Sequence, residues 1–204
     1  MSSPLSIASV TSVIKGFLEN GLVVHGASAV VGDLSVTALP PDRIAAGADE
    51  RSQLNIYLYR ITPNTAWRTV AASGSREQVA RAMPLSLDLH YVLTAYGERE
   101  YDAETLLGSA VDLIHETPVL TREVIAPILS ALSEHGNVGA TVFADVINSI
   151  DRITLSPEFL SMEDLTKLWS ALQARYRLSA TYQASVLMRP VADAVHSSQR
   201  GRNG

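Results

Sequence analysis

Residues 84–94 read PLSLDLHYVLT, and this stretch decides the fold. Leu85, Leu87, Leu89, Tyr91 and Leu93 alternate with Ser86, Asp88, His90 and Thr94, the period of two that sends one set of side chains into a core and the other to the opposite face of a strand. Upstream, Leu54, Ile56 and Leu58 alternate in the same way with Asn55, Tyr57 and Tyr59, and Pro63-Asn64 ends the run. Downstream, Leu178 to Met188 makes a third strand, with Ala180, Tyr182, Ala184 and Val186 on one face. Shorter strands are expected at Ile153-Thr154-Leu155 and, as a pair turning at Gly32-Asp33, between Val30 and Ala38.

Around these strands the apolar period changes to that of a helix. Ser3-Pro4 opens a helix whose stripe runs from Leu5 through Val10, Ile14 and Phe17 to Leu18, with Asn20-Gly21 as its exit. Asp102 is expected to cap a helix carrying Leu106, Leu107, Ala110, Val111 and Ile114, which Pro118 stops. Thr121 opens the next helix, in which Pro127 forces a kink or occupies an early turn, and Gly136 closes it. Residues 137–150 fit strand and helix equally. Ser161 with Asp164 starts a last helix holding Leu165, Leu168, Trp169 and Leu172 on one side. The order of elements predicts an α/β (α+β) fold, one mixed sheet flanked by helices, in a single domain over residues 1–190. Residues 191–204 are small, polar and charged, and the expectation for them is a disordered tail.

Composition narrows the function. The chain has 204 residues, 47% of them hydrophobic and 18% charged, enough for one domain that buries roughly 70% of its unfolded surface without disulfides or metals. Its 16 Lys and Arg against 21 Asp and Glu give a formal charge of -5, which argues against nucleic acid as a partner. Zero Cys excludes thiol catalysis, zinc ribbons and iron-sulfur clusters. The uncharged run Met1 to Ile14 is too short and too rich in Ser to cross a bilayer, so no membrane is expected as a partner. Lys15 follows that run instead of preceding it, so the stretch is not a secretion signal and the mature chain is expected to start near Met1.

Few residues suggest chemistry. Asp88 and His90 share a strand face, as a carboxylate orienting an imidazole requires, but no G-x-S-x-G elbow supplies a nucleophile. His115-Glu116 lacks the second His of a zinc helix, and His25 and His135 stand alone beside glycines. Gly26 to Gly32 has no Lys-Ser/Thr after it and reads as a turn, not a phosphate loop. Catalytic, metal and cofactor-binding residues are therefore expected to be absent. Trp67-Arg68 and Arg175-Tyr176-Arg177 are of the types enriched at protein interfaces, and equally of the types that cover a core edge. Asn55, Tyr57 and Tyr59 make Leu54 to Arg60 an amphipathic strand that a partner strand could extend, if it lies at an edge.

Four blocks in order carry a resemblance. Asn55-Ile56-Tyr57-Leu58-Tyr59-Arg60 with Pro63-Asn64 and Arg68, then Pro84 to Tyr91 with Tyr96-Gly97, then Leu106-Leu107-Gly108 with His115, Pro118, Val119 and Leu120, and finally Leu168-Trp169-Ser170 through Tyr176-Arg177-Leu178-Ser179 with Tyr182, together resemble the tail-terminator (cap) family of contractile injection systems. They span most of the chain from about Leu5 to Pro190, while residues 121–150 carry no counterpart of the pattern. The resemblance implies a structural protein without a cofactor: a ring, hexameric in the family, that sits on the last layer of inner tube and contractile sheath and stops their growth. It implies itself, the sheath and the inner tube as partners, and cytoplasmic assembly into a phage-tail-like particle that can be released. Its interface candidates are Asn55, Tyr57, Tyr59, Arg60, Asn64, Trp67, Arg68, Arg175, Tyr176 and Arg177. The alternatives are a small hydrolase using Asp88 and His90, and an adaptor of the tail that makes no ring.

Overall fold

A computed structural model describes residues 6–45, 47–64, 85–134 and 149–188, and its core is a sheet built outward from the strand that begins at Leu85. That strand, β3 (Leu85–Tyr96), lies between β2 (Gln53–Pro63) and β6 (Ser179–Met188). With β1 (Ser35–Thr37), β4 (Val119–Thr121) and β5 (Ile150–Glu158), the sheet order is β1-β2-β3-β6-β5-β4. Only β1 and β2 pair in parallel, so the sheet is mixed, as expected.

The helices of the described residues are α1 (Ser6–Val24), α2 (Ala27–Val31), α3 (Asp102–Glu116), α4 (Arg122–Glu134) and α5 (Met162–Ala171). α1, α3 and α4 pack together on the face that carries Leu89, Tyr91 and Leu93 of β3. Val10, Val13, Ile14, Leu18 and Leu22 of α1 are buried there with Leu106 and Ala110 of α3 and Leu129 of α4. Each such Leu contributes about 1.5–3 kcal/mol by leaving water. The Tyr91 hydroxyl, deep in this layer, shares a hydrogen bond of 2.9 Å with Thr11. The segment Ile7–Val24 is long and apolar enough to cross a membrane by length and composition, but here one face of it is core and the other carries the exposed Lys15–Glu19 pair.

Four local expectations change. The entrance expected at Ser3-Pro4 lies outside the described residues, and the helix does not stop at Gly21 but continues to Val24, because a Cβ on Gly21 would stand 2.1 Å from Leu113 Cδ2; the residue is glycine to let α3 approach α1. The positive φ that ends α1 falls at Gly26 instead (φ 76). Gly26 and Gly32 (φ 88) bracket the short helix α2, so the first of the two strands expected between Val30 and Ala38, and the turn read from Gly26 to Gly32, are both replaced by a helical turn. Asp102 begins α3 instead of capping it: the cap position is Tyr101 (φ 69). Thr121 ends β4, an edge strand with no period long enough to read, and Pro127 lies inside α4 on its exposed side. Gly136, the ambiguous residues 137–148 and the tail 191–204 lie outside the described residues; Ile150 opens β5, and Ile153-Thr154-Leu155 lies inside it.

Two features of the sheet shape the face turned away from α1. β1 pairs only with Gln53 to Asn55, so among the described residues no strand pairs with the outer edge of β2 from Ile56 to Pro63. The register of β2 against β3 also shifts between Leu58 and Arg60, a bulge that sets Tyr59 out of the ladder. From there Tyr59 reaches Glu158 on β5, across both β3 and β6. Those strands would be about 14 Å apart in a flat sheet, so the contact requires a curled one, concave on the side away from α1.

Candidate functional site

The concave face is polar, and its centre is His90. The imidazole is buried; Nδ1 lies 2.9 Å from the Glu158 carboxylate and Nε2 lies 2.8 Å from the Thr62 hydroxyl. Tyr59 donates its hydroxyl to the same carboxylate at 2.9 Å and tilts its ring over the imidazole, centroids 6.1 Å apart. Burial, then the bond to Glu158, pushes the Tyr59 phenol well above its ordinary range, so it stays a donor. Four side chains from three strands thus form one clasp across the concavity.

Asp88 and His90 share this face, as the strand period requires, yet the structure does not join them. Asp88 accepts from Ser185 Oγ at 2.6 Å and from Asn64 Nδ2 at 2.9 Å, while both His90 nitrogens are engaged with Glu158 and Thr62. The hydroxyl, imidazole and carboxylate of Thr62, His90 and Glu158 stand in the order of a nucleophile relay. Thr62, however, is a ladder residue of β2 paired with Asp88, not a residue exposed on a sharp turn. Among the described residues no group of three or more His, Asp or Glu is placed to hold a metal ion.

A second cluster closes the other end of the sheet. Arg177 grips Glu50 with both arms, at 2.8 and 2.6 Å, and lies over the Tyr96 ring at 5.3 Å. The Gly97 N–H also points to Glu50. Beside it, burial raises the Asp102 carboxyl, but bonds from the Arg99 guanidinium and backbone N–H and from Ser52 outweigh burial and hold it below the ordinary carboxylate range. Arg99 in turn donates to the carbonyls of Val30 and Val31, closing α2.

The ten interface candidates divide accordingly. Asn55 is fully buried, its amide spent on both backbone groups of Leu39 and on Thr37. Tyr59, Asn64 and Arg177 are bound within the fold, to Glu158, Asp88 and Glu50 respectively. Arg60, Arg175 and Tyr176 are exposed and Tyr57 is half-buried, so these four are free to meet a partner's surface. Trp67 and Arg68 lie outside the described residues. Sequence reading missed Glu158, Thr62 and Glu50, which are far from their partners in the chain. It also missed Phe159 and Met162, two large apolar side chains left in solvent at the entrance to α5.

A known structure shares this architecture. The PVC sheath/tube terminator of an extracellular contractile injection system, solved in its extended state, superposes with a TM-score of 0.54 at 16% identity, over 90% of this chain and 56% of that one. The anti-feeding prophage tube-terminating cap gives a TM-score of 0.41 at 16% identity, over 85% of this chain and 55% of that one. The chain thus spans little more than half the length of the terminators it matches. No curated protein matches the sequence. The model of the Pvc16 N-terminal domain matches residues 9–199, nearly the whole chain, and the chain belongs to that family.

Proposed function

We propose that this protein is a tail terminator: a homo-oligomeric ring, a hexamer, seated on the last layer of inner tube and contractile sheath, where it ends their polymerisation. The observation that carries the reading is the family match over residues 9–199, with a fold shared with a sheath/tube terminator. The open edge of β2 and the free side chains of Tyr57 and Arg60 support a docking role on that face. The ring is assembled in the cytoplasm and travels with a phage-tail-like particle that can be released; nucleic acid, membrane and cofactor have no part in it.

On this reading the protein is not an enzyme, and the clasp of Thr62, His90, Glu158 and Tyr59 holds the curl of the sheet. The relay order of the first three is the one observation that favours a hydrolase. Electron microscopy of particles from a deletion strain tests the proposal: tails of uneven length or unstable ends are expected, and uniform, normally capped particles overturn it. A folded His90→Ala variant that restores uniform tails removes the hydrolase, and light scattering on the purified protein separates the ring from a monomeric adaptor.

A further inference from the structure

Glu158 and Thr181 are the last ladder pair of β5 and β6, and the Thr181 hydroxyl also donates to the Glu158 carbonyl. Two antiparallel strands that meet in this way need only a short turn to join them. The chain instead leaves the sheet at Phe159, forms α5 and returns at Ser179. The ladder is closed beneath this excursion, so no strand pairing depends on it.

The excursion also supplies its own bonds. Ser161 starts α5 by accepting from the Asp164 N–H, and the left-handed Gln173 (φ 53) ends it, with the Ala174 N–H donating to the Trp169 carbonyl. Lys167 pairs with Glu163, and Tyr176 meets the Trp169 ring edge-on, centroids 6.0 Å apart. Among the described residues, every hydrogen bond and ion pair of residues 159–176 closes within that stretch. Its one buried side chain is Trp169. Polar ties to the rest of the molecule begin at the two flanking residues: Glu158, in the clasp with His90 and Tyr59, and Arg177, gripping Glu50 over Tyr96. A cleft of about 320 Å³ lies between the returning chain, Gln173 to Arg175, and Pro41, Ile44 and Tyr96.

We propose that residues 159–176 are a hinged arm that lifts from the sheet as one unit, turning about Glu158 and Arg177 and held down by Trp169. With the arm down, the indole is hidden. With the arm raised, it joins Phe159 and Met162 in solvent, while the clasp and the Arg177–Glu50 pair keep the sheet whole beneath it. The protein thus has two forms that differ in exposed apolar surface without unfolding, and a partner that binds Trp169 draws it toward the raised one. The arm stands on the fold alone, so its failure leaves the terminator reading untouched.

Native-state hydrogen exchange of the full-length protein, followed amide by amide, tests the arm. The α5 amides are expected to exchange at least about 100-fold faster than those of α1 and to share one opening constant, while Thr181 to Met188 stay as protected as β3. Trp169→Ala removes the anchor and is expected to speed the α5 amides by a further factor of about ten, with α1 and β6 unmoved. Exchange of α5 at the rate of α1 overturns the arm. A gradient of rates running inward from the ends of α5 also overturns it, because that is fraying and not the lifting of a unit. A Trp169→Ala chain that loses protection in α1 and β6 together with α5, or that does not fold, places Trp169 in the core and overturns it as well.

Discussion

α1 and α5 are both amphipathic by sequence, and the fold treats them in opposite ways. α1 sinks one face beneath the sheet, burying Val10, Val13, Ile14, Phe17, Leu18 and Leu22, and meets α3 and α4 through Gly21 and Gly16, where a Cβ would strike Leu113 and Ile128. α5 has the well-formed cap, with Ser161 accepting from the Asp164 N–H at 3.1 Å, yet only Trp169 is buried and Leu165 and Leu168 are half-buried. An apolar stripe reports that a helix needs a covering surface; it does not report whether the same chain provides it.

Truncating one leucine in each helix is the strongest way to break this comparison. Leu18→Ala, at a site with no exposure, is expected to cost about 2–5 kcal/mol, whereas Leu165→Ala is expected to cost less than about 1 kcal/mol in the isolated chain. Urea unfolding of both variants measures the gap. Equal losses would mean that α5 belongs to the core after all.

The next effect lies at the hinge between β3 and α3. A Cβ on Gly97 would stand 2.7 Å from the Ala103 backbone nitrogen and 2.8 Å from Asp102 Cβ, neither of which can swing away. Gly97→Ala is expected to destabilise by about 1–3 kcal/mol, read as a lower urea midpoint. Asp102 in the same hinge adds a pH signature. Its folded pKa lies below the unfolded value, so its contribution is complete above about pH 3.9 and is lost as pH falls through the lower folded value. Asp102→Asn should flatten the acid limb of stability in that window, and an unchanged limb would show that Arg99 and Ser52 do not favour the charged form.

Smaller still is the cap of α5. Ser161→Ala is expected to weaken that helix by about 1 kcal/mol. Because α5 is scarcely tied to the sheet, its loss should appear as reduced helical ellipticity before the main transition, with the midpoint of global unfolding almost unmoved. A matching drop in the global midpoint would contradict the separation between the two helices.

The range of each interaction decides how far the sequence could reveal it. The strands 84–94 and 54–59 were legible because alternation is a local property, and the ladder of β3 against β6 over Leu85 to Thr94 confirms the longest of them. Asp88 and His90 were placed on one face for the same reason. Their partners were not legible: Glu158 is 68 residues from His90, and Glu50 is 127 from Arg177. Gly21 misled because a glycine that admits a neighbouring helix and one that ends its own helix look alike until Leu113 is in place. Of the interface candidates, exposure rather than residue type separates Arg60, Arg175 and Tyr176 from buried Asn55.

The smallest effect sharpens the comparison furthest, because it separates what folding requires from what assembly requires. Gly97 and Gly108 both stand in the sequence blocks that resemble the terminators, but a Cβ on Gly108 would meet nothing within 4 Å and the residue lies on the exposed side of α3. Glycine inside a helix gives up about 0.5–1 kcal/mol relative to alanine, so Gly108→Ala is expected to stabilise the isolated chain by about that much, measured as a higher urea midpoint. A position where the fold would gain from a side chain and does not carry one is where folding and assembly can be tested separately. If Gly108→Ala raises stability and still restores uniform tails in the deletion strain, this stretch of α3 faces solvent in the particle. If stability rises while capping fails, α3 presents its bare backbone to a neighbouring subunit, and the helix layer that builds the core also takes part in assembly.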